Sequence, residues 1–84
     1  MAVVNTAVAK KLEIVVAQLR DYHVIPNFRI GGWDVKREHA SRASRHFETQ
    51  QKAINAARKM SKRNNAELFI HGHDGKLLRK DTRN

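Results

Sequence analysis

The chain has 84 residues, contains no cysteine, and carries 17 lysine and arginine residues against 8 aspartate and glutamate residues. This length accommodates one domain, and the absence of cysteine excludes disulfide bonds and thiolate metal sites. The formal net charge of +9 predicts an anionic partner, with nucleic acid the first candidate.

The N-terminal region predicts an amphipathic helix over residues 3–21. Val8, Leu12, Val15 and Leu19 recur at intervals of four, three and four residues, which places them on one apolar stripe. This stripe is expected either to cover the rest of the fold or to pack against a second copy of the chain, which would make a homodimer.

A first strand is predicted over residues 22–28. Pro26 lacks the N–H that a sheet interior requires, so it should confine this strand to an edge or a bulge. Gly31 and Gly32 follow, and they supply a turn that tolerates positive φ angles.

Two further strands are predicted before the second helix. Residues Trp33–Arg37 alternate between apolar and polar, which points Trp33 and Val35 toward the core. A short third strand at residues 44–48 should point Phe47 inward in the same way.

Thr49 is a good N-cap for a second helix over Gln50–Arg63, and Asn64 with Asn65 should end it. Periodicity places one apolar stripe of this helix against the sheet. The residues of that stripe are Ala53, Ile54, Ala57 and Met60.

The C-terminal region predicts a hairpin, with strands at residues 67–71 and 76–80 joined by an Asp-Gly turn. The resulting order is α-β-β-β-α-β-β. It predicts an α+β fold in which an antiparallel sheet of four to five strands carries a helix on one face, with the N-terminal helix added.

We therefore interpret residues 1–84 as a single domain. Its parts are an N-terminal helix at residues 1–21, a β-β-β-α-β-β core at 22–81 and a tail at 82–84. No apolar run approaches the roughly 20 residues that a membrane-spanning helix needs, and the first residues do not read as a secretory signal. We expect a cytoplasmic protein without membrane contact.

Three short motifs stand out in the core region: Gly32-Trp33-Asp34-Val35-Lys36-Arg37, then Thr49-Gln50 followed by Ala53, then Ile70-His71-Gly72 followed by Asp74-Gly75-Lys76. With these motifs, the chain from residue 22 to residue 81 resembles a family of small bacterial and phage domains known only as a domain of unknown function. The resemblance implies the fold of the core, and it carries over no activity.

Ten cationic side chains are candidate contacts to nucleic acid, because lysine and arginine bind phosphates and set the affinity of such complexes. They fall around strands two and three, on the second helix, and on the last hairpin. Each group also has a simpler role open to it: ion pairing with carboxylates, complementing the helix dipole, or guarding an edge strand. The ten residues are Lys36, Arg37, Arg42, Arg45, Arg58, Lys59, Lys62, Arg63, Lys76 and Arg79.

The aromatic residues favour one kind of nucleic-acid binding over another. Proteins that bind single strands stack bases on exposed aromatic rings. Trp33 and Phe47 are needed for the core, and Phe69 is a further candidate for it, which leaves Tyr22 and Phe28 as possible stacking residues. Backbone-dominated or duplex binding is therefore the better expectation.

No motif indicates catalysis, a cofactor or a metal site, so we expect a binding protein rather than an enzyme. The leading hypothesis is a small basic protein that associates with DNA or RNA through phosphate contacts. One alternative is a protein-interaction module, such as a phage or mobile-element inhibitor that docks on an acidic host protein. A less favoured alternative is a ribonuclease toxin, which would use one of the five histidines: His23, His39, His46, His71 or His73.

Overall fold

A computed structural model describes residues 20–81 of the chain. The predicted N-terminal helix, with its apolar stripe, and the predicted tail at residues 82–84 lie outside the described residues. Within them the α+β class is confirmed, with one sheet and one helix. The elements are β1 (Tyr22–Pro26), β2 (Trp33–Arg37), β3 (Arg45–Phe47), α1 (Gln50–Arg63), β4 (Leu68–His71) and β5 (Leu77–Asp81).

The five strands form one mixed sheet in the order β3-β2-β1-β4-β5. β1 runs parallel to β4, with Tyr22 opposite Leu68 and Val24 opposite Ile70, whereas the other three neighbouring pairs are antiparallel. The prediction of a purely antiparallel sheet is therefore wrong.

The direction of α1 explains the parallel pair. β3 runs in the same direction as β1 because two hairpin connections separate them, and α1 then returns the chain to the end of the sheet where β1 begins. At that end the side-chain amide of Asn64, directly after α1, donates to the hydroxyl of Tyr22 (3.0 Å). β4 consequently starts beside Tyr22 and runs along β1 in the same direction.

The sequence predicts that Pro26 confines β1 to an edge or a bulge, yet β1 is the central strand and pairs with β2 without a register shift. The N–H of Tyr22 donates toward the β4 side, to Glu67, and the N–H of Asn27 donates toward the β2 side, to Gly32. By alternation, the position of Pro26 faces β4. Pairing with β4 ends at Val24, so the missing N–H of Pro26 leaves no ladder bond unmade.

The ends of α1 follow the sequence prediction. The hydroxyl oxygen of Thr49 accepts a hydrogen bond from the N–H of Lys52 (3.2 Å), which satisfies one of the free donors of the first turn. Asn64 forms the C-cap, and Asn65 after it adopts the left-handed conformation, with φ of 55°. That conformation suits asparagine better than most residues.

The core lies between α1 and one face of the sheet. The alternation predicted for β2 and β4 is confirmed, because Trp33, Val35, Leu68 and Ile70 are buried. The helix contributes Ala53, Ile54 and Ala57 to the core, while Met60 and Phe47 pack against it as partly buried residues.

The opposite, helix-free face of the sheet carries mainly polar and aromatic side chains. Phe69 lies on this face, because its neighbours Leu68 and Ile70 are the buried residues of β4. The candidate assignment of Phe69 to the core is therefore wrong. Its ring stacks on that of His23, with centroids 5.0 Å apart and planes at 19°.

Among the described residues, no helix has the length and apolar composition that crossing a membrane would require.

Candidate functional site

The outward surface of α1 carries positive charge and no negative charge from the helix itself. The helix has the sequence QQKAINAARKMSKR. It contains five lysine and arginine residues and no carboxylate. Lys52, Lys59, Lys62 and Arg63 are exposed, since the buried residues of the helix occupy the opposite face. Lys62 and Arg63 also lie in the last turn, where cations interact favourably with the helix dipole.

Arg58 differs from the other helix cations because it is ion-paired. Its Nε donates to Oδ2 of Asp81 on β5 at 2.7 Å. Within residues 20–81, Arg58 is the one member of the ten predicted cations whose side chain forms an ion pair. Arg63 lies about 140° further around the helix, so it belongs to the flank that faces away from β5.

Two arginines of the sheet extend the basic charge on that flank. Arg37 stands opposite Tyr22 in the β1–β2 register, and its guanidinium carbon lies 5.7 Å from the centroid of the Tyr22 ring. Arg45 stands opposite the buried Val35, with its guanidinium carbon 5.5 Å from the centroid of the Phe47 ring. Both guanidinium groups therefore lie on the side of the sheet that carries α1.

The structure thus brings five of the ten predicted residues to one side of the molecule, together with a sixth that the sequence analysis did not single out, Lys52. We call this set the basic surface. Sequence periodicity could have found Lys52, because it shares the outward face of α1 with Lys59. The residues of the basic surface are Arg37, Arg45, Lys52, Lys59, Lys62 and Arg63.

Four of the predicted residues lie elsewhere. Lys36 is on the helix-free face, opposite His23 in the register of β1 and β2. Arg42 is in the exposed loop before β3, and Lys76 is in the turn between β4 and β5. Arg79 stands on the edge strand β5 opposite Ile70, on the far flank of α1.

A chain of hydrogen bonds crosses the helix-free face, and we call it the histidine network. The carboxylate of Glu38 bonds to Nε2 of His23. Nδ1 of His23 bonds to Nε2 of His71 at 2.9 Å, and Nδ1 of His71 donates to the carbonyl oxygen of Gly75 at 2.9 Å. The network therefore joins β1, the loop after β2, β4 and the turn before β5.

Glu38 is the acceptor at one end of the histidine network, and the carbonyl of Gly75 is the acceptor at the other. The hydrogen bond from His23 lowers the pKa of Glu38 below its ordinary value of 4.5, against an opposing effect of burial. The carboxylate is therefore ionised at neutral pH.

The histidine network borders a shallow cavity of about 400 Å³, whose walls include Asp21, His39, Phe69 and Leu77. All four ring nitrogens of His23 and His71 are already bonded within the network. Both nitrogens of each ring therefore have partners within the described residues, and these bonds tie β1, β4 and the turn before β5 together.

The domain matches one known protein family. Residues 22–83 match the model of a family described as an uncharacterized protein conserved in bacteria, DUF2188. The chain belongs to the DUF2188 family. This match includes all five strands and α1, and it confirms the resemblance noted from the sequence motifs. Searches of curated proteins and of solved structures found no match for this DUF2188 member.

Proposed function

We propose that this DUF2188 domain binds nucleic acid through phosphate contacts made by the basic surface. The observation that carries the proposal is the positive charge on the outward side of α1, where Lys52, Lys59, Lys62 and Arg63 are exposed and the helix itself contains no carboxylate. Clustered cations of this kind neutralise phosphates and release counterions.

The flanking arginines widen the surface from one helix face to a broader patch. Arg37 and Arg45 are both exposed, and each guanidinium group lies beside an aromatic ring of the helix-covered side. Arginine binds phosphate oxygens with two parallel hydrogen bonds, which adds geometric definition to the charge that the lysines provide. Contacts of this type fix position and affinity without reading sequence.

Fluorescence anisotropy with labelled DNA and RNA oligonucleotides, at about 50 mM and 200 mM salt, tests the proposal. The domain is expected to bind and to lose affinity steeply at the higher salt concentration. The double variant Lys59→Gln/Lys62→Gln removes two phosphate contacts and should weaken binding by roughly tenfold.

The matched control is Lys36→Gln/Lys80→Gln, which removes the same charge from the helix-free face. This variant should keep most of the native affinity. Equal losses in the two double variants would show that overall charge, and not the basic surface, drives binding. Failure of the native domain to bind either nucleic acid at low salt would end the proposal.

A protein-interaction module is the second candidate, and the edge strand β5 favours it. Leu77 and Leu78 are 55% and 64% exposed there, and an edge strand with exposed apolar residues can pair with an extended segment of another chain. A protein complex that persists after nuclease treatment and at high salt, and that Leu78→Lys abolishes, would favour this candidate over nucleic-acid binding.

A further inference from the structure

The hairpin between β1 and β2 presents the most exposed aromatic ring of the chain. All five Phe, Tyr and Trp residues lie among the described residues. Tyr22 and Trp33 are buried, and Phe47 and Phe69 are half-buried, whereas the side chain of Phe28 is 76% exposed. Of the two aromatic residues that the sequence left free for stacking, only Phe28 is therefore accessible.

The hairpin that carries Phe28 is held in place by Asn27. Its side-chain oxygen accepts hydrogen bonds from the N–H groups of Arg29 and Ile30, each at 3.0 Å. Its side-chain amide donates to Oδ2 of Asp34 at 3.1 Å, and Oδ1 of Asp34 is bonded to Nδ1 of His46 at 2.6 Å. These bonds anchor the tip of the hairpin to β2 and β3.

The two glycines that close the hairpin add to this constraint. Gly31 and Gly32 have φ angles of 82° and 75°, which other residues rarely adopt. A Cβ atom on Gly32 would lie 2.5 Å from the carbonyl oxygen of Phe47, so the backbone at Gly32 packs directly against β3. The exposed ring is thus displayed on a preorganised loop, which reduces the entropy that binding would cost.

The ring of Phe28 also rests against a second turn. Its edge atoms lie 3.6 Å from the position that a Cβ atom would take on Gly75, in the turn between β4 and β5. That turn is fixed by the N–H of Lys76, which donates to Oδ1 of Asp74 at 3.0 Å. The turn therefore supports the ring without burying it.

Cations flank the ring on both turns. Arg29 follows Phe28 directly and Lys76 follows Gly75, and both side chains are exposed. Asp74 lies in the same turn as Lys76, and its Oδ1 accepts the N–H of Lys76. An exposed aromatic ring with cationic residues next to it in the chain and on the adjoining turn suits unpaired nucleotides, with the base on the ring and the phosphates on the cations.

We infer that Phe28 is a stacking site for an unpaired nucleobase, with Arg29 and Lys76 contacting the phosphates on either side of that base. This inference rests on the proposed function. It narrows the ligand from nucleic acid in general to a single strand or an unpaired position in a duplex. An apolar pocket of a partner protein would also accept Phe28, but it would leave the two cations without a charge complement.

The test compares a labelled single-stranded oligonucleotide with its duplex, using the complete chain. Phe28→Ala is expected to lower affinity for the single strand by roughly tenfold and to change duplex affinity much less. Phe28→Trp should retain binding, and its exposed indole emission should be quenched by the oligonucleotide. Ile30→Ala, at another exposed apolar residue of the same hairpin, is the control and should bind as the native protein does.

Two outcomes would overturn the inference, and they separate it from the proposed function. If Phe28→Ala binds the single strand as tightly as the native chain while Lys59→Gln/Lys62→Gln weakens binding, phosphate binding by the basic surface stands and the stacking site falls. If the native chain binds neither single strand nor duplex, both proposals fail together.

Discussion

His23 occupies the centre of the helix-free face and bonds to two partners that are distant in sequence. His71 is 48 residues away and Glu38 is 15 residues away. Nothing in the local sequence around His23 indicates these partners, because the contact with His71 depends on the parallel pairing of β1 with β4. The histidine network therefore could not be predicted from the sequence, although each of its histidines was noted there.

The hydrogen bond between Glu38 and His23 predicts a pH-dependent contribution to stability. The folded state lowers the pKa of Glu38 below 4.5, so the contribution is present above the unfolded value and is lost as pH falls through the lowered pKa. A double-mutant cycle with Glu38→Gln and His23→Phe isolates it, since phenylalanine keeps a ring that can stack on Phe69.

We expect a coupling free energy of about 1 kcal/mol or less at pH 7, because the Glu38 side chain is 28% exposed and solvent screens the pair. Urea denaturation at pH 7 and at about pH 3 measures this coupling, which is expected to be smaller at the acidic pH because part of Glu38 is then protonated. A coupling that is unchanged at the acidic pH would contradict the account of the network.

At the scale of the elements, α1 shows how far local sequence determines structure. Thr49 and the two asparagines fix where the helix begins and ends, and its apolar positions fix which side is buried. These features depend on neighbours within a few residues, so the sequence predicted them. The same is true of the alternation in β2, where Trp33 and Val35 are buried as expected.

The N-cap of α1 offers a direct test of this local control. Thr49→Ala removes the acceptor for the N–H of Lys52 and is expected to destabilise the domain by about 1 kcal/mol. Thr49→Ser keeps a hydroxyl at the same position and should cost only a small part of that. Thermal or urea unfolding of both variants checks the prediction, and equal losses would show that the hydroxyl does not cap the helix.

Prediction of the separate helices and strands did not give the parallel pairing of β1 with β4. The order of three strands, a helix and two strands already implies that β4 runs in the same direction as β1 and β3. If β4 pairs with β1 or with β3, that pair must therefore be parallel. The antiparallel prediction followed the hairpin signals, which describe neighbours in sequence, and it did not follow the direction of the chain through α1.

At the scale of the whole molecule, the sequence analysis named five of the six cations of the basic surface but did not predict on which side of the fold each cation lies. Of the ten candidate residues, the fold places Arg37, Arg45, Lys59, Lys62 and Arg63 on one side. Alternation in β2 separates Lys36 from Arg37, so two adjacent cations face opposite sides of the sheet. The side on which each cation lies follows from strand pairing and helix docking, which is why composition alone could not define a surface.

The salt dependence of binding tests the central claim, that the basic surface contacts phosphates, most directly. The slope of log affinity against log salt concentration is measured for a DNA duplex with the native domain and with Lys59→Gln/Lys62→Gln/Arg63→Gln. Each lost phosphate contact should reduce the magnitude of the slope by about 0.9, so the triple variant should lose about 2.7. A native slope near zero, or an identical slope for the two proteins, would contradict the claim.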